Sequence, residues 1–212
     1  MFSNTLFTTK ILSVEVLSPE LTRAYNLDSG NYPMNGEPGM FSIEKCKVPD
    51  DTLLARYSSV DDTYTDCYTT EISGRISFPE FVFAFYTTFL FKLERLILTW
   101  TVSKPSTDVQ ARKLADGEID KFAAWIVESR SENEILMCDF IGRTRSWLMI
   151  ALASDARTRL YFGSAVVPRR NSKTGKPSPG FQALLGFHKI YSVLLLYFVK
   201  GQLREAKTDK SV

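Results

Sequence analysis

Two arginines in the C-terminal half are spaced for anion recognition. Arg143 and Arg145 lie two residues apart in a stretch with strand character, so their side chains should share one face, which Trp147 and Met149 continue. Two guanidinium groups beside an apolar wall suit a carboxylate or phosphate attached to a hydrophobic body. The alternative is that this face points outward and both arginines are solvated. The spacing alone leaves both interpretations open.

The next predicted strand offers a second set of ligand-binding candidates. Arg159, Tyr161 and Gly163 share one of its faces, while Leu160 and Phe162 occupy the other face, which has the character of core. A glycine at position 163 permits the close approach of a helix or a ligand. A glycine that only relieves packing is the alternative.

The single histidine of the chain, His188, lies on the apolar side of the last predicted helix, three residues before Tyr191. In that position His188 could act as a general acid or base, or donate a hydrogen bond to a ligand. A half-buried histidine that only anchors the helix is the alternative. Both residues are candidates for ligand binding, and both are candidates for catalysis.

Asp66 is the third catalytic candidate. It alternates with Tyr64 and Tyr68 along one face of a predicted strand. A structural ion pair with Arg143 or Arg145 is the simpler interpretation, and a catalytic acid is the alternative. Sequence spacing alone does not assemble a Ser/His/Asp set.

The composition excludes several classes of function. The chain of 212 residues has 26 basic and 24 acidic side chains and a net charge of +2, which disfavours nucleic acid as a partner. One histidine cannot supply a His-rich zinc site or an iron-binding facial triad, so we predict no metal and no other cofactor. The 15 Phe, 9 Tyr and 3 Trp instead favour a globular domain with an aromatic core.

The cysteines and the apolar stretches bear on the compartment. Cys46, Cys67 and Cys138 are widely spaced and form no C-x-x-C pair, so we expect three reduced thiols in a reducing, cytoplasmic environment. The first 17 residues lack the pattern of a signal peptide. Residues 78–101 and 181–199 are apolar but carry charges within the run, which favours packed helices over transmembrane segments.

Predicted strands and helices are segregated along the chain. Strands are predicted at 41–48, 64–73, 121–130, 134–152 and 158–168, and long helices at 78 to about 100 and 179 to about 205. The stretch 134–152 is either two strands or one long bent strand with Gly142 as a candidate bulge. Short polar connections between the later strands imply antiparallel pairing. This order predicts an α+β fold in which helices cover an antiparallel sheet. We divide the chain into an N-terminal extension (1–40), one domain (41–206) and a frayed tail (207–212).

The clearest local signal marks the start of the first long helix. Ser77 and Glu80 are spaced as the N-cap and N3 residues of a capping box, with Pro79 in the first turn. Ile76 and Phe81 are placed to form a hydrophobic staple across that first turn.

Four stretches together resemble the START-like helix-grip (SRPBCC) superfamily. They are residues 64–67, 139–147, 158–168 and 187–195. Within that superfamily they are similar to an uncharacterised bacterial family annotated only as a domain of unknown function. The resemblance implies a curved antiparallel sheet that wraps a long C-terminal helix, with a cavity between them. The superfamily includes lipid carriers, hormone-binding proteins and cyclases, so the fold alone does not decide the function.

Three functions are compatible with these features. The first is binding of a mostly hydrophobic or aromatic small molecule, lipid-like or polyketide-like, whose polar or anionic end is oriented by Arg143, Arg145 and His188. The second is a cyclase, dehydratase or isomerase that uses His188, Asp66 and Tyr191. The third is a protein-interaction module, for example a homodimer formed through the apolar helix at 78–101.

Overall fold

The sheet is the centre of an α+β architecture. A computed structural model describes residues 43–61, 63–93, 95, 105–167 and 179–209, with side chains in the last segment described for 190–208. The strands are β1 (Glu44–Lys45), β2 (Tyr64–Ser73), β3 (Lys121–Phe122), β4 (Trp125–Arg130), β5 (Glu134–Asp139), β6 (Thr144–Ser154) and β7 (Arg157–Val166). The helices are α1 (Ala55–Ser58), α2 (Phe78–Thr87), α3 (Asp108–Ala115) and α4 (Pro179–Asp209).

All strand pairings in the sheet are antiparallel. The seven strands of the described chain have the order β1-β2-β7-β6-β5-β4-β3. The short connections from β4 to β7 form successive hairpins, as the polar turns predicted. With the long helix α4, this is a helix-grip arrangement, and the predicted α+β class is confirmed.

Both faces of the sheet are covered by other parts of the chain. The inner face carries Leu148, Leu160 and Phe162 and packs against α2 and α4. The outer face carries Cys67, Trp147 and Ala165 and packs beneath residues 48–57, which include α1. Because side chains alternate along a strand, neighbouring residues of β6 and β7 belong to different cores.

The surplus of aromatic residues fills the inner core. The ring of Phe85 lies 5.0 Å from the ring of Phe162 and 5.2 Å from that of Tyr86, measured between centroids. Tyr86 and Phe91 meet edge to face at 4.8 Å. These spacings are typical of favourable aromatic pairs, so α2 is fastened to the sheet largely by ring contacts.

Helix α2 begins as predicted and ends earlier than predicted. Ser77 Oγ accepts a hydrogen bond from Glu80 N at 3.3 Å, and Ser77 N donates to Glu80 Oε2 at 2.9 Å, so the capping box is confirmed. The prediction of one helix to about residue 100 is wrong, because Thr88 leaves the helical conformation (φ −55°, ψ 150°). Its hydroxyl accepts from Phe91 N at 3.2 Å and so caps the helical segment that follows. Residues 96–104 lie outside the described part.

Other boundaries also differ from the predictions. The strand predicted at 41–48 is only Glu44–Lys45. The stretch 134–152 forms two strands, β5 and β6, which is one of its two predicted forms; the predicted bulge at Gly142 is wrong, because this glycine, with φ 74°, lies in the turn between them. Helix α3 was not predicted, because only Ala111, Leu114 and Ala115 bury an apolar stripe in an otherwise polar segment. Helix α4 continues to Asp209, past its predicted end near 205.

Glu134 binds the segment that covers the outer face, residues 48–57, to the sheet. Its Oε2 accepts hydrogen bonds from Trp147 Nε1 at 2.7 Å and from Leu53 N at 2.9 Å. We expect Glu134→Ala to lower the free energy of unfolding by about 2 kcal/mol, because two donors at the interface lose their acceptor. Glu134→Gln keeps an oxygen acceptor and should lose less than half as much in urea denaturation. Equal losses for the two variants would contradict this role.

Candidate ligand-binding site

Arg145 lies on the outer face and is engaged by protein groups. Its Nε donates to Glu128 Oε2 at 2.9 Å, and a terminal nitrogen donates to Gly142 O at 2.6 Å. The guanidinium carbon lies 4.9 Å from the centre of the Tyr57 ring. Burial lowers the pKa of Arg145, but Cys138 and Glu128 outweigh this effect and raise the pKa above its ordinary value. The fork of Arg145 is therefore already used in holding this part of the chain together.

Glu128 is the centre of that cluster. Besides Arg145, it binds the Tyr57 hydroxyl at 2.5 Å and Arg56 at 2.8 Å. Burial and the hydrogen bond to Glu128 both raise the pKa of Tyr57. Arg143 precedes β6 and is exposed. The ion pair predicted between Asp66 and Arg143 or Arg145 is wrong, because Asp66 lies on the inner face and Glu128 pairs with Arg145 instead.

Arg159 and Tyr161 also lie on the outer face. Arg159 binds Glu71 Oε1 through Nε at 3.1 Å and through a terminal nitrogen at 2.6 Å. The ring of Tyr161 lies 6.1 Å from that of Trp147, which is fully buried. Neither residue faces α4.

Most of the predicted ligand-binding residues on strands lie at the outer face of the sheet. A cavity wall facing α4 was expected to contain five strand residues that the structure places at or near the opposite face. These are Arg143, Arg145, Trp147, Arg159 and Tyr161. The reason is the alternation of side chains, since Leu148, Leu160 and Phe162 take the inner face. A role for the five residues in ligand binding stays a prediction.

On the inner face, Asp66 is a buried carboxylate held by hydroxyl groups. It is 3% exposed; Oδ1 accepts a hydrogen bond from Ser164 Oγ, and Oδ2 accepts one from Tyr64 OH at 3.3 Å. Burial and the nearby charge of Asp66 raise the pKa of Tyr64. Within the described ranges, no lysine or arginine nitrogen lies within 4 Å of this carboxylate.

Lys200 is a buried cation on the same side of the sheet. It is 3% exposed, and its Nζ donates to Thr70 Oγ1 at 3.0 Å. An ammonium group has three donors, and in the part of the chain that is described this bond uses one of them. Burial lowers the pKa of Lys200, and the positive charges of Arg204 and Arg157 lower it further. Lys200 is thus a buried amine whose hydrogen-bonding capacity is mostly left unused by the residues that the structure describes.

The sequence contains a signal for Lys200 that was missed. Lys200 follows Leu196 by four residues and precedes Leu203 by three, and both leucines are buried in the inner core. A residue at this spacing must lie on the apolar stripe of the helix. A charged residue on such a stripe is rarely buried without a partner, which marks the position as a candidate site.

The course of α4 places the other candidates relative to Lys200. Lys200 contacts Thr70, and Lys207 Nζ donates to Ser73 O at 2.8 Å, so α4 runs parallel to β2. Tyr191 precedes Lys200 by about 13.5 Å of helix. Asp66 precedes Thr70 by about 13 Å of strand. Because α4 and β2 run parallel and Lys200 contacts Thr70, Asp66 and Tyr191 lie at about the same height. Tyr191 is partly buried against the inner core.

The catalytic candidates are therefore only partly located. Asp66 and Tyr191 lie at the same level between sheet and helix, by the course of α4. His188 belongs to α4, but its side chain lies outside the described part. Convergence of the three groups, and with it the enzymatic hypothesis, stays a prediction. Among the described residues, no group of three or more His, Cys, Asp or Glu side chains is arranged to hold a metal ion.

Two further observations complete the description. No helix in the described ranges has the length and apolar character needed to span a membrane. The predicted N-terminal extension, residues 1–40, lies outside the described part.

Comparison with known proteins gives a distant structural similarity. No family model matches the sequence, and no curated protein matches it. Among solved structures, the chain is similar to a conserved protein of unknown function, EF2215, from Enterococcus faecalis. The identity is 12%, the match covers 64% of this chain and 70% of that one, and the TM-score is 0.30. This likeness carries no argument about function.

Proposed function

We propose that the protein is a START-like binding protein for a mostly apolar small molecule with an anionic end, held between the inner face of the sheet and α4. The observation that carries the proposal is the buried ammonium of Lys200, to which the described residues offer one hydrogen bond, with Thr70. Arg145, which the sequence suggested for this role, is paired with Glu128, and Arg159, another ligand-binding candidate, is paired with Glu71.

The chemistry of Lys200 favours an anion as the ligand group. Unused donors of a buried ammonium are costly, and a carboxylate, phosphate or sulfonate satisfies them while offsetting the charge. No carboxylate of the described residues lies within 4 Å of Lys200 Nζ. Leu196, Val199 and Leu203, which neighbour Lys200 along α4, belong to the apolar inner core and would supply an apolar environment for the body of the ligand.

The proposal is tested with a pair of aromatic probes that differ in charge. 1-Anilinonaphthalene-8-sulfonate has an anionic group, and N-phenyl-1-naphthylamine has the same kind of apolar body without it. We expect Lys200→Met to weaken binding of the sulfonate probe about tenfold, the loss of one charge-assisted hydrogen bond. Binding of the neutral probe should stay unchanged. Both affinities are measured by fluorescence titration.

A matched control comes from the same helix. Lys207 also donates to β2, at Ser73 O, but it is only partly buried and lies about two turns of α4 beyond Lys200, so Lys207→Met should leave both affinities unchanged. Melting temperatures of all variants show that the fold is intact during the titrations. The proposal fails if Lys200→Met binds the sulfonate probe as the wild type does, or if both probes lose affinity equally.

A further inference from the structure

Cys46 and Cys67 face each other across the first two strands of the sheet. Glu44 pairs with Thr69 and Lys45 with Tyr68, so the register continues to Cys46 opposite Cys67. A hydrogen bond from Cys46 N to Cys67 O at 2.9 Å confirms that continuation. The two Sγ atoms are 2.9 Å apart, and both cysteines are free. Their separation by 21 residues gave no sign of this contact in the sequence.

We propose that Cys46 and Cys67 form a reversible disulfide by exchange with a low-molecular-weight disulfide such as oxidised glutathione. Directly opposed residues of an antiparallel pair have Cα atoms about 4.5 or 5.5 Å apart, and both values lie within the range that a disulfide spans. The two side chains already point at each other. Bond formation therefore needs little movement of the backbone.

The exposure of the two thiols sets the order of the steps. Cys46 is partly exposed and Cys67 is fully buried, so the oxidant first meets Cys46. A hydrogen bond with Cys67 lowers the pKa of Cys46 against the opposing effect of burial, and Arg159 lowers it as well. A lower pKa increases the fraction of thiolate, which is the nucleophile in exchange.

The exchange balances in two steps. The Cys46 thiolate attacks one sulfur of oxidised glutathione, forms a mixed disulfide and releases one glutathione thiolate. Cys67 then gives its proton to a released thiolate, attacks the Cys46 sulfur and releases the second glutathione. Two cysteine thiols are oxidised to one disulfide, and one molecule of oxidised glutathione is reduced to two of the thiol.

The disulfide would stabilise the segment between the two cysteines, which covers the outer face of the sheet. The chain between the two cysteines includes α1 and Leu54, which cover the outer face. Closing a loop of this length removes freedom from the unfolded chain and should raise the melting temperature by about 10 °C. Oxidation therefore closes the chain between Cys46 and Cys67 into a covalent loop at the edge of the sheet.

The test is to incubate the folded, full-length protein with oxidised glutathione, alkylate the free thiols and map the cysteines by mass spectrometry. We expect a Cys46–Cys67 disulfide, with Cys138 still alkylated. Cys138 is also partly exposed, so Cys138→Ser is the matched control and should keep both the disulfide and the rise in melting temperature. Cys46→Ser should lose both. Cys67→Ala should instead retain glutathione on Cys46.

Three results would overturn the proposal. One is full alkylation of Cys46 and Cys67 in the oxidised sample after denaturation. Another is a lasting glutathione adduct on Cys46 in the wild type. The third is a disulfide that includes Cys138. Because Cys46 is partly exposed, Cys46→Ser gives a folded comparison even where replacement of the buried Cys67 prevents folding.

Discussion

Replacing Trp147 by alanine is expected to lower the free energy of unfolding by about 4 kcal/mol, because the side chain is fully buried and its removal leaves a large cavity. The indole also donates to Glu134, which would lose that donor. Trp147→Phe retains most of the apolar volume but loses this hydrogen bond and a smaller part of the packing, so about 2 kcal/mol is expected. Urea denaturation monitored by far-UV circular dichroism measures both losses.

The Trp147→Phe variant also tests which face of the sheet binds the ligand. Trp147 lies on the outer face, so Trp147→Phe should bind 1-anilinonaphthalene-8-sulfonate as tightly as the wild type at a temperature where both are folded. A clear loss of affinity in Trp147→Phe would contradict the assignment of the ligand site to the inner face.

Gly163→Ala is expected to destabilise the protein by about 3 kcal/mol, because an added methyl group would be overpacked. A Cβ atom at this position would lie 2.6 Å from Leu54 Cδ2, 2.9 Å from Asp66 O and 3.0 Å from Trp147 Cε3. The Leu54 side chain can move, but the carbonyl of Asp66 belongs to the neighbouring strand. The sequence left a packing or a ligand-binding glycine open at 163, and these contacts favour packing.

An identical substitution elsewhere supplies the control for Gly163. Gly201 lies within α4, and a Cβ atom there would meet nothing within 4 Å. Gly201→Ala should therefore raise the free energy of unfolding by up to about 1 kcal/mol through helix propensity. Thermal and urea unfolding of the two variants should give shifts of opposite sign. A neutral Gly163→Ala would show that the contact of α1 and its flanking residues with the sheet is looser than described.

Local features were predictable where a few neighbouring residues determine them. The capping box at Ser77 and Glu80 needs only its own four residues, and it is confirmed. The break at Thr88 was missed because no glycine or proline marks it; a threonine hydroxyl caps the next segment instead. Similarly, the sharing of one face by Arg145 and Trp147 follows from strand alternation.

The direction of that face was not predictable from alternation. Both faces of β6 are apolar, with Trp147 and Met149 on one and Leu148 and Ile150 on the other, so hydrophobicity does not distinguish inside from outside. The deciding fact is that residues 48–57 cover one face while α4 covers the other. The pairing of Cys46 with Cys67 depends on the register between two distant strands, which no local pattern specifies.

The most direct test of the central claim is a crystal structure of the protein with bound 1-anilinonaphthalene-8-sulfonate. We predict that the naphthalene rings lie between the inner face of the sheet and α4, with a sulfonate oxygen about 3 Å from Lys200 Nζ. A probe that binds only on the outer face, beside Arg145 or Arg159, would contradict the account, as would a probe on the inner face whose sulfonate points away from Lys200.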